Sequence, residues 1–269
     1  MGADAFREGR VTELLNKLQS QVLSQQVRLY ACCARLQAQT DDEALHDLRI
    51  ALRKLRSLLR PLRRQALCAQ LEQAAAALGE SSGPLRDLEV LAGELQRLGH
   101  DHLARQRRTH LAEGYARLLD SLALQRLFIL LDDWPDNCRE ARSKGEWQVG
   151  RKRVRKYLAN QAQHLATALR DPAHDRHRLR LLIKRLRYCA EAYPRHSDLS
   201  ANCLSGLRLA QAALGDWHDH LQWLARLPSE PDLQPCAALW QRHLDEAEQK
   251  ADQALQALCE HFPEASQAD

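Results

Sequence analysis

Aromatic side chains are scarce in this chain: three Phe, five Trp and five Tyr among 269 residues. Surfaces that stack nucleobases need aromatic platforms, so nucleic-acid recognition is poorly provided for. Glycine (11) and proline (9) are also few, and no low-complexity tract interrupts the chain. β-Branched residues are sparse, which leaves little from which to build strands. Ala, Leu, Gln, Arg and Glu dominate, all good helix formers. An all-α fold follows. No window approaches the ~20 apolar residues of a membrane span, and the opening MGADAFREGR has no apolar signal core. The eight cysteines, at 32, 33, 68, 138, 189, 203, 236 and 259, form no CxxC pair and no zinc-type spacing. Reduced, buried thiols in a cytoplasmic protein, with no metal and no cofactor, are the expectation.

Net charge excludes little, since 39 basic and 35 acidic residues leave only +4. Distribution says more, because a local field is set by where charges cluster. The segment from His46, HDLRIALRKLR, and the segment from His177, HRLRLLIKRLR, share one pattern. In each, basic residues stand three, seven, eight and ten places after the histidine: Arg49, Arg53, Lys54 and Arg56, then Arg180, Lys184, Arg185 and Arg187. On a helix, offsets zero, three, seven and ten fall within a stripe roughly 80° wide. Leucines at offsets two and nine put the apolar face beside that stripe, and Arg60 extends the first copy by a turn. Lys54 and Arg185 lie off the stripe. No acid occurs between 48 and 71, so the i,i+4 salt bridges of an ordinary solvated helix face are unavailable locally. The pattern is that of a repeated anion-binding surface.

The periodicity predicts a long helix over about 10–39, with Leu14, Leu15, Leu18, Val22 and Leu29 on one side and Arg10, Lys17, Arg28 and Arg35 on another. The run Thr40–Glu43 supplies an N-cap and acidic first turn for the His46 helix. Further helices are expected over about 64–79, 85–98 (stopped by Gly99) and 102–131. Residues 132–146, with Pro, Gly and charges together, read as a connection. Beyond it come helices over 147–170, from Asp171-Pro172 to near Pro194, over 197–214, 216–227 and about 236–261. Downstream of each stripe comes a Leu-Gly pair and then an aspartate: Leu78-Gly79 with Arg86-Asp87, and Leu214-Gly215 with Asp219. An internal duplication of a four-helix unit explains this: repeat one over about 8–131, repeat two over about 147–262, packed as two bundles about a pseudo-twofold axis.

At these residues the chain resembles the CHAD family, the conserved histidine α-helical domain, over about residues 8–262. The resemblance rests on the two H-x-x-R copies and on Leu78-Gly79…Arg86-Asp87; Trp217-His218-Asp219 stands where Arg-Asp or Asn-Asp is more usual. It implies a single all-helical, pseudo-twofold domain that binds inorganic polyphosphate in a basic central channel, with polyphosphate granules and their proteins as its setting. His46, Arg49, Arg53, Lys54, Arg56, Arg60, His177, Arg180, Lys184, Arg185 and Arg187 are then the binding residues, with Lys17, Arg28, Lys152 and Arg155 as secondary candidates. Polyphosphate is a linear array of negative charges without bases. Its recognition calls for the planar fork of arginine and the point charge of lysine, and for no base readout.

Two other functions fit the same residues. The histidines could serve a phosphohydrolase or phosphotransferase acting on polyphosphate, but no Walker-type loop or carboxylate cluster for Mg²⁺ is in view. The cationic rails could instead hold nucleic acid, against which the shortage of aromatics argues. Each histidine is also open to a capping or core role. The expectation is a binder with no enzymatic activity and no membrane partner.

Overall fold

Leucine at alternating three- and four-residue spacing builds the helices and the core together. In the computed structural model Leu45, Leu48, Leu52, Leu55 and Leu59 line one face of α2 (Ala44–Leu59), and none is more than 2% exposed. Burying each such side chain is worth about 1.5–3 kcal/mol, so this face, and not helix propensity, holds α2 in place. The same spacing sets Leu179, Ile183, Leu186 and Ala190 against the core from α9 (Arg176–Ala192). The structure describes residues 2–147, 150–173 and 175–262, with the backbone alone for 2–12; the side chain of Arg10 therefore lies outside it. Among the described residues every regular element is helical.

The chain divides into two compact units, residues 1–155 and 156–269. In the first, α1 (Gly2–Ala38) packs along α2, and α2 turns through a 3₁₀ segment at Arg60–Leu62 onto α3 (Ala66–Ser81). Next, α4 (Gly83–Arg97) pairs with α5 (Asp101–Leu119), while α6 (Leu122–Asp132) lies on α3 and leads into α7 (Trp134–Ser143). Gly99, at φ +81°, makes the turn between α4 and α5, a conformation that side chains with a Cβ rarely adopt. Helix α8 (Arg151–Leu169) runs into the second unit, where α9, α10 (Ala201–Arg226) and α11 (Ala237–Cys259) follow; α10 packs on both α9 and α11. Among the described residues three helix starts carry side-chain caps: Ser121 Oγ accepts from the Leu124 N–H, Asp175 from His177 and Ser200 from Cys203.

Four expectations change. The stretch 102–131 is two helices, broken where Ser121 caps α6. Residues 132–146, read as a connection, contain α7, because Pro135 stands in a first turn where its missing N–H costs nothing. Asp171-Pro172 precedes α9 instead of starting it; Asp175 is the cap. And 197–214 with 216–227 form one continuous α10.

All five tryptophans are buried, as packing residues at helix seams; Trp223 and Trp240 meet between α10 and α11 with ring centroids 5.5 Å apart. Six of the eight cysteines are buried too, and burial pushes the Cys33 and Cys138 thiols up to about 12 and about 11. Thiols so held resist conversion to the reactive thiolate. Helices α4 and α5 approach closely at Gly114, whose absent Cβ leaves room for the Leu85 side chain. Gly114→Val should therefore cost about 1–3 kcal/mol by overpacking, read as a lower urea midpoint with unchanged helicity.

Candidate anion-binding site

The N-terminal half of the first stripe is held against the corner between α3 and α4. Helix α2 enters there under a clamp: Arg35 of α1 donates two hydrogen bonds to Asp41 (2.9 and 2.7 Å) and one to Asp47 (2.7 Å), fixing the loop and the first turn of α2 together. Thr40–Glu43 does not cap α2 by a side-chain bond to the helix; Asp41 accepts from the Glu43 N–H (3.0 Å) and shapes the turn before it. His46 is the third residue of α2 and is half-buried. One turn on, Arg49 Nη1 donates to the Gly79 carbonyl and to Ser82 Oγ, both at 2.8 Å. Ser82 is fully buried at the start of α4, so the Leu-Gly corner grips the guanidinium with neutral acceptors. Burial holds Arg49 below the ordinary arginine value; Arg53 and Arg86 push the same way, against Asp87 and Glu89. Arg49, Arg53 and Arg86 thus converge, on α2 and α4.

The C-terminal half of that stripe does something else. Arg56 Nε and Arg60 Nε both donate to Glu72 Oε1 (3.0 and 3.2 Å), and Arg63 Nη2 lies 2.9 Å from Glu72 Oε2. The Glu72 side chain, on α3, is only 7% exposed. Burial alone would raise its pKa, but the three guanidiniums outweigh that and hold it below the ordinary carboxylate value. The local absence of acids in the sequence therefore does not leave the whole stripe without carboxylates: α3 brings one back. Lys54 is exposed.

The second stripe divides the same way. The Arg187 side chain, 16% exposed, lies over the Tyr188 ring at 4.2 Å and within 3.6 Å of Glu191, so this last cation is turned onto its own helix. Arg185 is half-buried. At the other end His177 is exposed, and its ring centroid lies 5.7 Å from that of His218 on α10. Arg180 and Lys184 stand close enough to His218 to disfavour its protonated form. The His218 pKa is lowered to about 4, first by burial and then by Arg180, His177 and Lys184. Arg176 is engaged elsewhere, donating to Asp252 (3.0 and 2.8 Å).

Of the secondary candidates, Lys17 and Arg28 are exposed on α1, and Lys152 and Arg155 on α8; their neighbour Arg151 pairs with Glu13. Sequence reasoning left out Glu72, Arg63, Ser82 and Arg86 as contributors, and did not rank His218. The available signal was the acid that ends the acid-free stretch at 72, and the pair of residues flanking each downstream aspartate. Among the described residues no three His, Cys, Asp or Glu side chains group closely enough to hold a metal ion, and no helix is long and apolar enough to cross a membrane.

The crystal structure of the CHAD domain from the plant Ricinus communis superposes with a TM-score of 0.68 at 20% sequence identity, covering 93% of this chain and 91% of that one. That likeness concerns the fold. No curated protein matches the chain. The CHAD domain family model matches residues 21–228, which include both stripes and both downstream aspartates, and the chain therefore belongs to the CHAD family.

Proposed function

We propose that the chain binds inorganic polyphosphate on the N-terminal halves of its two cationic stripes, as a cytoplasmic, non-catalytic protein associated with polyphosphate granules. One observation supports this reading above others. In each repeat a basic group is buried among further cations so that its charged form is disfavoured, Arg49 beside Arg53 and Arg86, and His218 beside Arg180 and Lys184. Rows of like charge destabilise an empty protein. A linear polyanion neutralises them without needing base contacts, and the bidentate fork of arginine suits phosphate oxygens. Arg49, Arg53, Arg180 and Lys184 are the contacts in this reading, with His46 and His177 at the ends of their rows. Arg56, Arg60 and Arg187 brace the helices that present them.

The test is a gel shift with polyphosphate of graded length across a salt series. A stripe that makes two phosphate contacts loses affinity by roughly sevenfold between 50 and 200 mM salt through counterion release, taking the single-strand coefficient. Affinity indifferent to salt would sink the reading. Two further arms separate the alternatives: chains shortened after incubation with Mg²⁺ would indicate a phosphohydrolase or phosphotransferase, and displacement of polyphosphate by duplex DNA at equal phosphate concentration would indicate a general polyanion binder.

A further inference from the structure

The two repeats differ at one position that faces the stripe. His46, Arg49, Arg53 and Asp87 in the first repeat correspond to His177, Arg180, Lys184 and Asp219 in the second. The residue before the aspartate is Arg86 in one and His218 in the other. Arg86 lies near Arg49, just as His218 lies near Arg180 and Lys184. A guanidinium is not a titratable switch in proteins, and Arg86 pairs with Glu89 at 2.9 Å. His218 is titratable, and its Nδ1 is buried without a hydrogen-bond partner. A polar atom left unfilled in this way marks a place where a ligand or proton can be accommodated.

We propose that His218 is a proton-operated member of the second repeat's anion-binding face, neutral when the face is empty and protonated when a polyphosphate segment seats on Arg180 and Lys184. This rests on the polyphosphate reading above. The groups facing the ring from α9 are His177, Arg180 and Lys184, all of which oppose its protonation. On α11 the nearby acids are already engaged: Glu248 accepts from Trp217 Nε1 (3.3 Å) and Arg176 (3.5 Å), and Asp252 from Arg176. On α10 itself Asp219 is adjacent in sequence, and His220 Nδ1 is 2.8 Å from the Asp216 carbonyl. Nothing acidic among these overcomes the cations, which agrees with a pKa lowered to about 4. An arriving polyanion reverses the local field, so the complex takes up a proton that the empty protein refuses. Binding then strengthens as pH falls from 7 toward 5. The first repeat, with Arg86, lacks this response at the corresponding position.

The experiment compares long-chain inorganic polyphosphate binding at pH 5, 6, 7 and 8, at constant ionic strength, for the wild type, His218→Asn and His218→Arg. If the complex restores an ordinary histidine pKa near 6.5, wild-type affinity rises between pH 7 and pH 5 by on the order of tenfold more than that of His218→Asn. His218→Arg should bind at pH 7 about as tightly as the wild type does at pH 5. A pH dependence of His218→Asn equal to that of the wild type overturns the proposal and leaves polyphosphate binding standing. Absence of wild-type binding at every pH removes the polyphosphate reading itself. Should the variants fold poorly, the imidazole resonances of His218 in the intact wild type decide: the midpoint, near 4 in the empty protein, must rise by at least one pH unit with polyphosphate, and an unmoved midpoint overturns the proposal.

Discussion

Glu72→Gln is expected to lower the unfolding free energy by about 2–3 kcal/mol. Removing one member of a buried ionic cluster typically costs 3–5 kcal/mol, because the remaining charges lose their counterion. Here Arg56, Arg60 and Arg63 are 26%, 16% and 54% exposed, so water screens part of the loss. The glutamine carbonyl can still accept a hydrogen bond but carries no charge. The pH dependence has a definite sign. The folded carboxyl titrates below its ordinary value, so its contribution is fully present above the unfolded value near 4.5 and vanishes as pH falls through the folded value. Urea melts of wild type and variant should differ fully at pH 7 and draw together as pH falls below the unfolded value near 4.5. A constant difference down to pH 3 would show that Glu72 is not the counterion. The released arginines have a second consequence. Polyphosphate should raise the stability of Glu72→Gln more than that of the wild type, since only in the variant do Arg56 and Arg60 need a new anion.

The difference between the two halves of each stripe marks how far the sequence could be read. Helical spacing alone brings His46, Arg49 and Arg53 to one side of α2, and the structure keeps them near one another. Spacing alone could not separate Arg49 from Arg56, because both lie on the same stripe. What distinguishes them is α3, folded back through the turn at Arg60–Leu62 so that Glu72 meets residues 16 and 12 positions upstream. Such a partner lies beyond any local salt-bridge rule. The Leu-Gly pairs were equally ambiguous. Gly79 does not end α3, and Gly215 sits inside α10. A mid-helix glycine costs about 1 kcal/mol relative to alanine, less than the packing of α10 on α9 and α11 returns. The break between α3 and α4 comes from Pro84, which has no N–H to give the helix and would clash with the carbonyl four residues back. Nothing comparable follows Leu214, so the second unit carries Asp219 on one unbroken helix. Capped starts such as Ser121 and Ser200, by contrast, are local signals, each serine accepting from the N–H three residues on; leucines recurring on both sides of Ser121 mask the first.

Charge reversal at Arg49 and Arg180 together should reduce polyphosphate affinity by about tenfold or more. Each substitution removes a charge-assisted hydrogen bond, worth about 1.5–3 kcal/mol, and sets a carboxylate in the path of the anion. At each stripe that is roughly 1.5–3 kcal/mol, or one to two decades in Kd. Arg49 also braces the α3–α4 corner through Gly79 and Ser82, so a fall in affinity has to be separated from a fall in stability. Arg49→Lys does this. Lysine keeps the charge but ends one atom short of the Nη1 that serves both acceptors, so it should destabilise the first unit while retaining most of the binding. Arg28→Glu, on an exposed stretch of α1, changes net charge by the same amount as either stripe reversal alone and should cost no more than a few-fold. If Arg28→Glu weakens binding as much as either stripe reversal, polyphosphate responds to overall charge and the stripes hold no site. If the double reversal alone abolishes the gel shift while circular dichroism stays at the wild-type value, the N-terminal halves of α2 and α9 carry the binding. The pairs further along, Arg56 with Glu72 and Arg187 with Glu191, then explain why these helices tolerate so many like charges when empty: each row of cations ends on a carboxylate that the fold itself provides.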